Sequence, residues 1–208
     1  MHPEILEPAT TAVFSLLGAQ PYMSIEKGVY LALGTALALQ FRHRESVDLD
    51  FVCEQGFPTG FREALSALGS VTVVREEEGT FDGTLNNVKI SMFAYPYPRL
   101  YSTLSYEGIA LADARDIAAM KILAVTQRAA RKDFVDLYIL IKRYGLPALL
   151  DLFDAKFASA SFSRTHLLKS ISYFADAEAD PMPVMRTSVS WNEIKKTLEK
   201  EAHVLVAH

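Results

Sequence analysis

Leu33-Gly34-Thr35-Ala36-Leu37-Ala38-Leu39-Gln40-Phe41-Arg42-His43-Arg44-Glu45-Ser46-Val47-Asp48-Leu49-Asp50-Phe51 is the stretch whose reading decides the fold. It follows a run from Gly28 to Leu33 that is rich in strand formers. Gly34 and Thr35 break that run, and Ala36 to Arg42 reads as a short helix with Thr35 near its N-cap. His43 to Ser46 is a polar elbow, and Val47 to Cys53 reads as a second strand. Asp48 and Asp50 stand two apart in that strand, so their side chains share one face. Two carboxylates on one face repel each other and are costly to bury, and a divalent cation relieves both problems. Oxygen ligands of this kind suit Mg²⁺, which takes one or two protein carboxylates plus substrate phosphates; Mn²⁺ is the alternative ion. The competing reading is a pair of solvated acids on the polar face of an edge strand.

The context upstream of the acids favours the cation. Gly34 permits close backbone approach to a ligand. A helix start offers unpaired N–H groups and a positive dipole end to phosphate, and Thr35 adds a hydroxyl. The alternative for the Gly34–Thr35 pair is an ordinary N-cap. Arg44 can grip phosphate with two parallel hydrogen bonds, or it can form a surface ion pair with Glu45 or Asp48. Ser46 can orient a phosphate or an aspartate. His43 has no Cys or His partner at zinc-binding spacing and reads as structural.

Farther out, residues 4–19 have helical spacing of apolar positions, closed by Gln20 and Pro21. Phe57 to Leu68 reads as a helix and Val71 to Val74 as a strand running into Glu76, Glu77 and Glu78. Thr80 to Leu85 and Val88 to Ala94 read as a hairpin about Asn86–Asn87, and Tyr95 to Pro98 ends the sheet. From Asp113 the period becomes helical, with helices expected over 113–128, 132–144, 146–157, 164–175 and 191–205. The expected class is α/β (α+β): a mixed-sheet core over 1–110 and a helical region over 111–208 that completes the site.

Lys121, Arg128, Arg131 and Lys132 cluster within twelve positions, in and between the first two of those helices. Lys121 and Arg128 are seven apart, on one helix face, which can grip triphosphate oxygens or simply be solvated. Asp133 and Asp136, three apart, share a face as well.

Together, Leu33 to Leu39 with His43 to Phe51 resemble the signature of the DNA polymerase β-like nucleotidyltransferases, and more narrowly the AbiEii/AbiGii toxin group. Asp116 to Arg128, followed by Arg131-Lys132-Asp133-Phe134-Val135-Asp136-Leu137, resembles the second half of that group's signature. The resemblance spans roughly residues 28–145. It implies transfer of a nucleoside monophosphate from a nucleoside triphosphate to an acceptor hydroxyl, with a tRNA end as one acceptor. It also implies a toxin role with a cognate antitoxin as partner. On this likeness Asp48 and Asp50 hold the metal, and Gly34, Thr35, Arg44, Ser46, Lys121 and Arg128 serve the nucleotide. Either Asp133 or Asp136 completes the site as base or orienter. Leu33 stands where members typically carry a second glycine. A third carboxylate, common in the superfamily on a later strand, is replaced at the natural position by Ser91, with Asp82 a weak substitute.

The bulk numbers bound these readings. The chain has 208 residues and a formal net charge of −4, so its surface as a whole is no general nucleic-acid magnet. One cysteine, Cys53, precludes an intrachain disulfide and fits a reducing compartment. Its opening residues lack a basic leader, and its apolar runs are too short to span a bilayer, so the expected location is cytoplasmic, without a membrane partner. Two rival functions remain open. A sugar-nucleotide glycosyltransferase also uses an Asp-x-Asp pair, but usually after a longer nucleotide-binding domain than the 47 residues before Asp48. A non-catalytic nucleotide-binding or regulatory protein on the same fold is motivated by Leu33 and Ser91.

Overall fold

The computed structural model describes residues 1–56 and 59–206. Two compact units make up the chain: Met1–Pro98 with Ser102–Asp113, and Arg99–Tyr101 with Ala114–His208.

The first unit is built on a mixed sheet of seven strands among the described residues. These are β1 (Val29–Leu31), β2 (Leu49–Cys53), β3 (Val71–Glu77), β4 (Thr80–Leu85), β5 (Val88–Ala94), β6 (Leu104–Tyr106) and β7 (Ile109–Leu111). Their order is β3-β4-β5-β2-β1-β7-β6. Strands β2 and β5 run parallel, as do β1 and β7, and the remaining pairs are antiparallel. Alternation along β2 gives the sheet two unlike faces. Phe51 sits opposite Met92, which sits opposite Phe81, and all three are fully buried. One residue back, Asp50, Ser91 and Asp82 form the matching row on the opposite face. The strand expected from Val47 begins at Leu49, so Asp48 lies one residue before β2 rather than within it.

Asn86 and Asn87 both take positive φ, 50° and 65°, as a two-residue hairpin requires. The sheet does not end at Tyr95. A second hairpin follows, turned by Glu107 and Gly108 at φ 46° and 79°, and it returns β7 beside β1. Its turn presses on the end of α1 (Pro8–Gly18): a β-carbon on Gly18 would strike the Glu107 carbonyl oxygen, and one on Gly108 would strike that of Gly18. Helix α1 starts at Pro8, later than expected, because proline suits the first helical position. The helix expected from Phe57 is seen as α3 (Phe61–Ser66), and its expected first residue lies outside the described residues.

The second unit is helical: α4 (Ala114–Gln127), α5 (Arg131–Tyr144), α6 (Leu146–Lys156), α7 (Arg164–Ile171) and α8 (Trp191–Val206). Ile117, Leu137, Leu150, Phe153, Leu167 and Leu198 fill its interior. Helix α7 stops at Ile171 rather than running to Ala175, and the Ser172 hydroxyl donates to the Leu168 and Lys169 carbonyls there. Sequence reasoning missed a buried ion pair. Lys156 Nζ lies 2.7 Å from Asp116 Oδ1, and both side chains are sealed from water. The Asp116 carboxylate also accepts the Leu100 and Tyr101 backbone N–H groups, each at 2.9 Å. Asp116 therefore anchors the Arg99–Tyr101 segment, whereas the sequence showed it only as an acid in a helix's first turn.

Candidate active site

In the first unit the residues that matter hang on α2 (Leu33–Phe41) and β2. Helix α2 begins at Leu33, with Ala32 as N-cap in extended backbone, so Thr35 is not the cap expected from the sequence. Gly34 and Thr35 lie within the first turn, where backbone N–H groups have no partner inside the helix. Leu33 itself has φ 55°, a left-handed conformation that is an outlier for a bulky residue. Glycine takes this conformation without strain.

Thr35 is buried, and its hydroxyl works inside the protein. It hydrogen-bonds Ser46 Oγ at 2.7 Å and donates to the backbone carbonyl of Asp48. One side chain thus ties the start of α2 to the elbow and to the residue that leads into β2. The elbow is not a surface feature: His43, Arg44 and Ser46 are all buried. Arg44 Nη1 donates to the Glu45 carbonyl at 2.8 Å. Asp48 and Asp50 are both half-buried. No group of three His, Cys, Asp or Glu side chains is gathered as a metal cluster among the described residues. A cation held by these two carboxylates would have to complete its shell with water and phosphate oxygens, as a hard cation does. The pair does not fit a closed structural zinc site.

In the second unit, Lys121 and Arg128 do not form the solvent-facing basic stripe expected from their spacing. Arg128 lies just past the end of α4, and both cations converge on Asp133. Lys121 Nζ is 2.7 Å from Asp133 Oδ1 and 2.6 Å from Asp136 Oδ2. Arg128 holds the same Asp133 carboxylate with two bonds, Nε to Oδ2 at 2.7 Å and Nη2 to Oδ1 at 3.0 Å. Lys121, Asp133 and Asp136 are sealed from solvent, while the Arg128 side chain is 50% exposed. Burial pushes the Asp133 carboxyl up, but Lys121 and Arg128 together outweigh it and hold the group below the usual carboxylate range. Both acids contact Lys121, so its ammonium does not single out either one.

The turn that brings Arg128 back onto α5 carries Ala129 at φ 46°, a second non-glycine residue in left-handed backbone. No helix among the described residues is long and apolar enough to cross a membrane.

Comparison with known proteins agrees with this architecture. A protein of Aquifex aeolicus (strain VF5), the uncharacterized aq_aa25, is 32% identical over 179 residues, covering 83% of this chain and 85% of that protein. Among solved structures, MenT4, a nucleotidyltransferase toxin of Mycobacterium tuberculosis H37Rv, superposes with a TM-score of 0.57 at 15% identity. It covers 97% of this chain and 86% of its own. JHP933 from Helicobacter pylori superposes with a TM-score of 0.55 at 16% identity over 96% and 95% of the two chains. At such identities the likeness speaks for the fold, which is the polymerase β-like nucleotidyltransferase architecture expected from residues 33–51. The model of the nucleotidyl transferase AbiEii toxin, of type IV toxin–antitoxin systems, matches residues 34–204. Most of the helical unit thus falls within the match along with the acid-bearing strand, and the chain belongs to the AbiEii nucleotidyltransferase toxin family.

Proposed function

We propose that the protein transfers a nucleoside monophosphate from a nucleoside triphosphate to an acceptor hydroxyl, releasing pyrophosphate, and that this modification makes it a toxin. The observation that carries the reading is the Thr35 hydroxyl bound to the Asp48 carbonyl, which ties the start of α2 to the residue that leads into β2 and its Asp50. Asp48 and Asp50 would hold the divalent cation, Mg²⁺ or Mn²⁺, which would supply Lewis-acid charge to screen the triphosphate. The α2 N-terminus at Gly34 receives phosphate oxygens, with Thr35 and Ser46 fixing its position and Arg44 adding positive charge. Residues 1–110 supply these groups. Within residues 111–208, Lys121 is committed to Asp133 and Asp136 and positions that clamp, from which the half-exposed Arg128 offers positive charge. The acceptor is a cellular hydroxyl such as a tRNA end, the setting is the cytoplasm, and a cognate antitoxin opposes the effect.

The test is an incubation of purified protein with Mg²⁺, each of the four labelled nucleoside triphosphates and total tRNA. Label should enter an acceptor with the native chain and disappear with Asp48→Ala. Nucleotide binding without transfer under all four nucleotides would favour the second reading, a non-catalytic nucleotide-binding regulator. Ser91 motivates that alternative, because it occupies the place beside Asp50 where a third carboxylate would complete the metal's ligands.

A further inference from the structure

A cleft of about 540 Å³ opens in the helical unit between the end of α4 and the α7 region. That volume lies in the ordinary range for small-molecule sites. Arg128, His166 and Lys169 bring nitrogen donors to its wall, and Asp176 brings one acid. Tyr173 also lines it and is 56% exposed, which leaves its ring open to a ligand. The strained turn at Ala129 forms part of the rim. Residues held in sparsely populated backbone regions cluster at ligand sites because the surrounding structure must over-determine them. Arg128 is the best-ordered of the donors, since its guanidinium is locked by two bonds to Asp133 while half of the side chain stays exposed at the cleft.

We propose that this cleft is a nucleotide-binding pocket that works without the divalent cation. Arg128, Lys169 and His166 take a phosphate, the Tyr173 ring stacks on a base, and the Asp176 carboxylate accepts from a ribose hydroxyl or an exocyclic amine. Cations beside an exposed aromatic ring suit this chemistry: charge recognises the phosphate, and the ring recognises the flat face that any base offers. A plain anion hole would have no use for the tyrosine. A purely apolar ligand would leave the lysine and histidine unused. The phosphorylated nucleoside can be a free nucleotide or the terminal residue of an RNA strand. The inference deepens the transferase reading by naming where a nucleotide of substrate or acceptor is held, and it rests on that reading for its purpose alone.

The experiment measures binding to the full chain in excess EDTA, which silences Asp48 and Asp50 and so separates this site from the transfer chemistry. The probes are a nucleoside monophosphate, a nucleoside triphosphate, a short oligoribonucleotide and inorganic phosphate, titrated by calorimetry. Lys169→Ala and Tyr173→Ala, both at exposed positions, are compared with the native chain. The expected result is binding of at least one nucleotide probe that weakens on the order of tenfold in each variant. Mononucleotide binding identifies the source as free nucleotide, and binding of the oligoribonucleotide alone identifies a strand end. The proposal is overturned if no nucleotide probe binds in EDTA. Inorganic phosphate binding as tightly as the nucleotides, or affinity indifferent to both substitutions, overturns it as well. Loss of labelled transfer in the earlier assay, with EDTA-resistant binding intact, would remove the catalytic reading and leave this pocket standing.

Discussion

Leu33 carries a local conflict between residue type and backbone. Its φ of 55° belongs to glycine's territory, and an L-residue there costs on the order of 1–2 kcal/mol. Leu33→Gly should therefore change unfolding free energy by no more than about 1 kcal/mol, because relieved strain offsets the lost half-buried side chain. Leu33→Ile, which adds β-branching at the same φ, should lower stability by a further 1–2 kcal/mol or so; denaturant unfolding compares the two. If the isoleucine variant equals the native protein, the strain argument fails. Lys121 poses the opposite case, a residue whose surroundings are fully committed to it. With Asp133 and Asp136 buried against the ammonium, its removal leaves acids without their cation. Lys121→Met should cost about 3–5 kcal/mol in chemical denaturation, and a cost under 1 kcal/mol would contradict the clamp.

At the scale of elements, α2 and β2 are joined by the Thr35 hydroxyl, which meets both Ser46 and the Asp48 carbonyl. Thr35→Val keeps the shape and removes both bonds. It should cost about 1–3 kcal/mol and speed amide exchange in the first turn of α2, read by hydrogen–deuterium exchange mass spectrometry. Unchanged exchange there would mean that packing alone holds the helix start. The elements carrying this site were legible because each is a strong local pattern. Asp48 and Asp50 alternate with apolar residues, and Asn86–Asn87 favours a tight hairpin. The β6–β7 hairpin was not legible, since Glu107–Gly108 is a weak turn signal and its strands have only three residues each. Long-range facts were hidden for a different reason. That Lys121 and Arg128 turn inward, and that Asp116 meets Lys156 forty residues on, depends on how helices pack rather than on any window of sequence.

For the molecule as a whole, the inward ion network links stability to acidity. The folded Asp133 carboxyl sits below its ordinary range, so the unfolded chain binds that proton more readily. Its contribution is complete above the unfolded value of about 3.9 and is lost as pH falls through that value towards the folded one. Melting temperature should drop with acid below about pH 4. The drop should be shallower in Asp133→Asn, measured by calorimetric scans from pH 6 to pH 2.5; identical slopes would exclude Asp133 as a source of acid sensitivity. The sealed lysines of the helical unit have one more consequence. Amine-acylating reagents modify accessible ammonium groups within minutes, yet Lys121 and Lys156 are shut away behind carboxylates. Their acylation, followed peptide by peptide, becomes a built-in clock for the opening of the helices around them, needing no mutation.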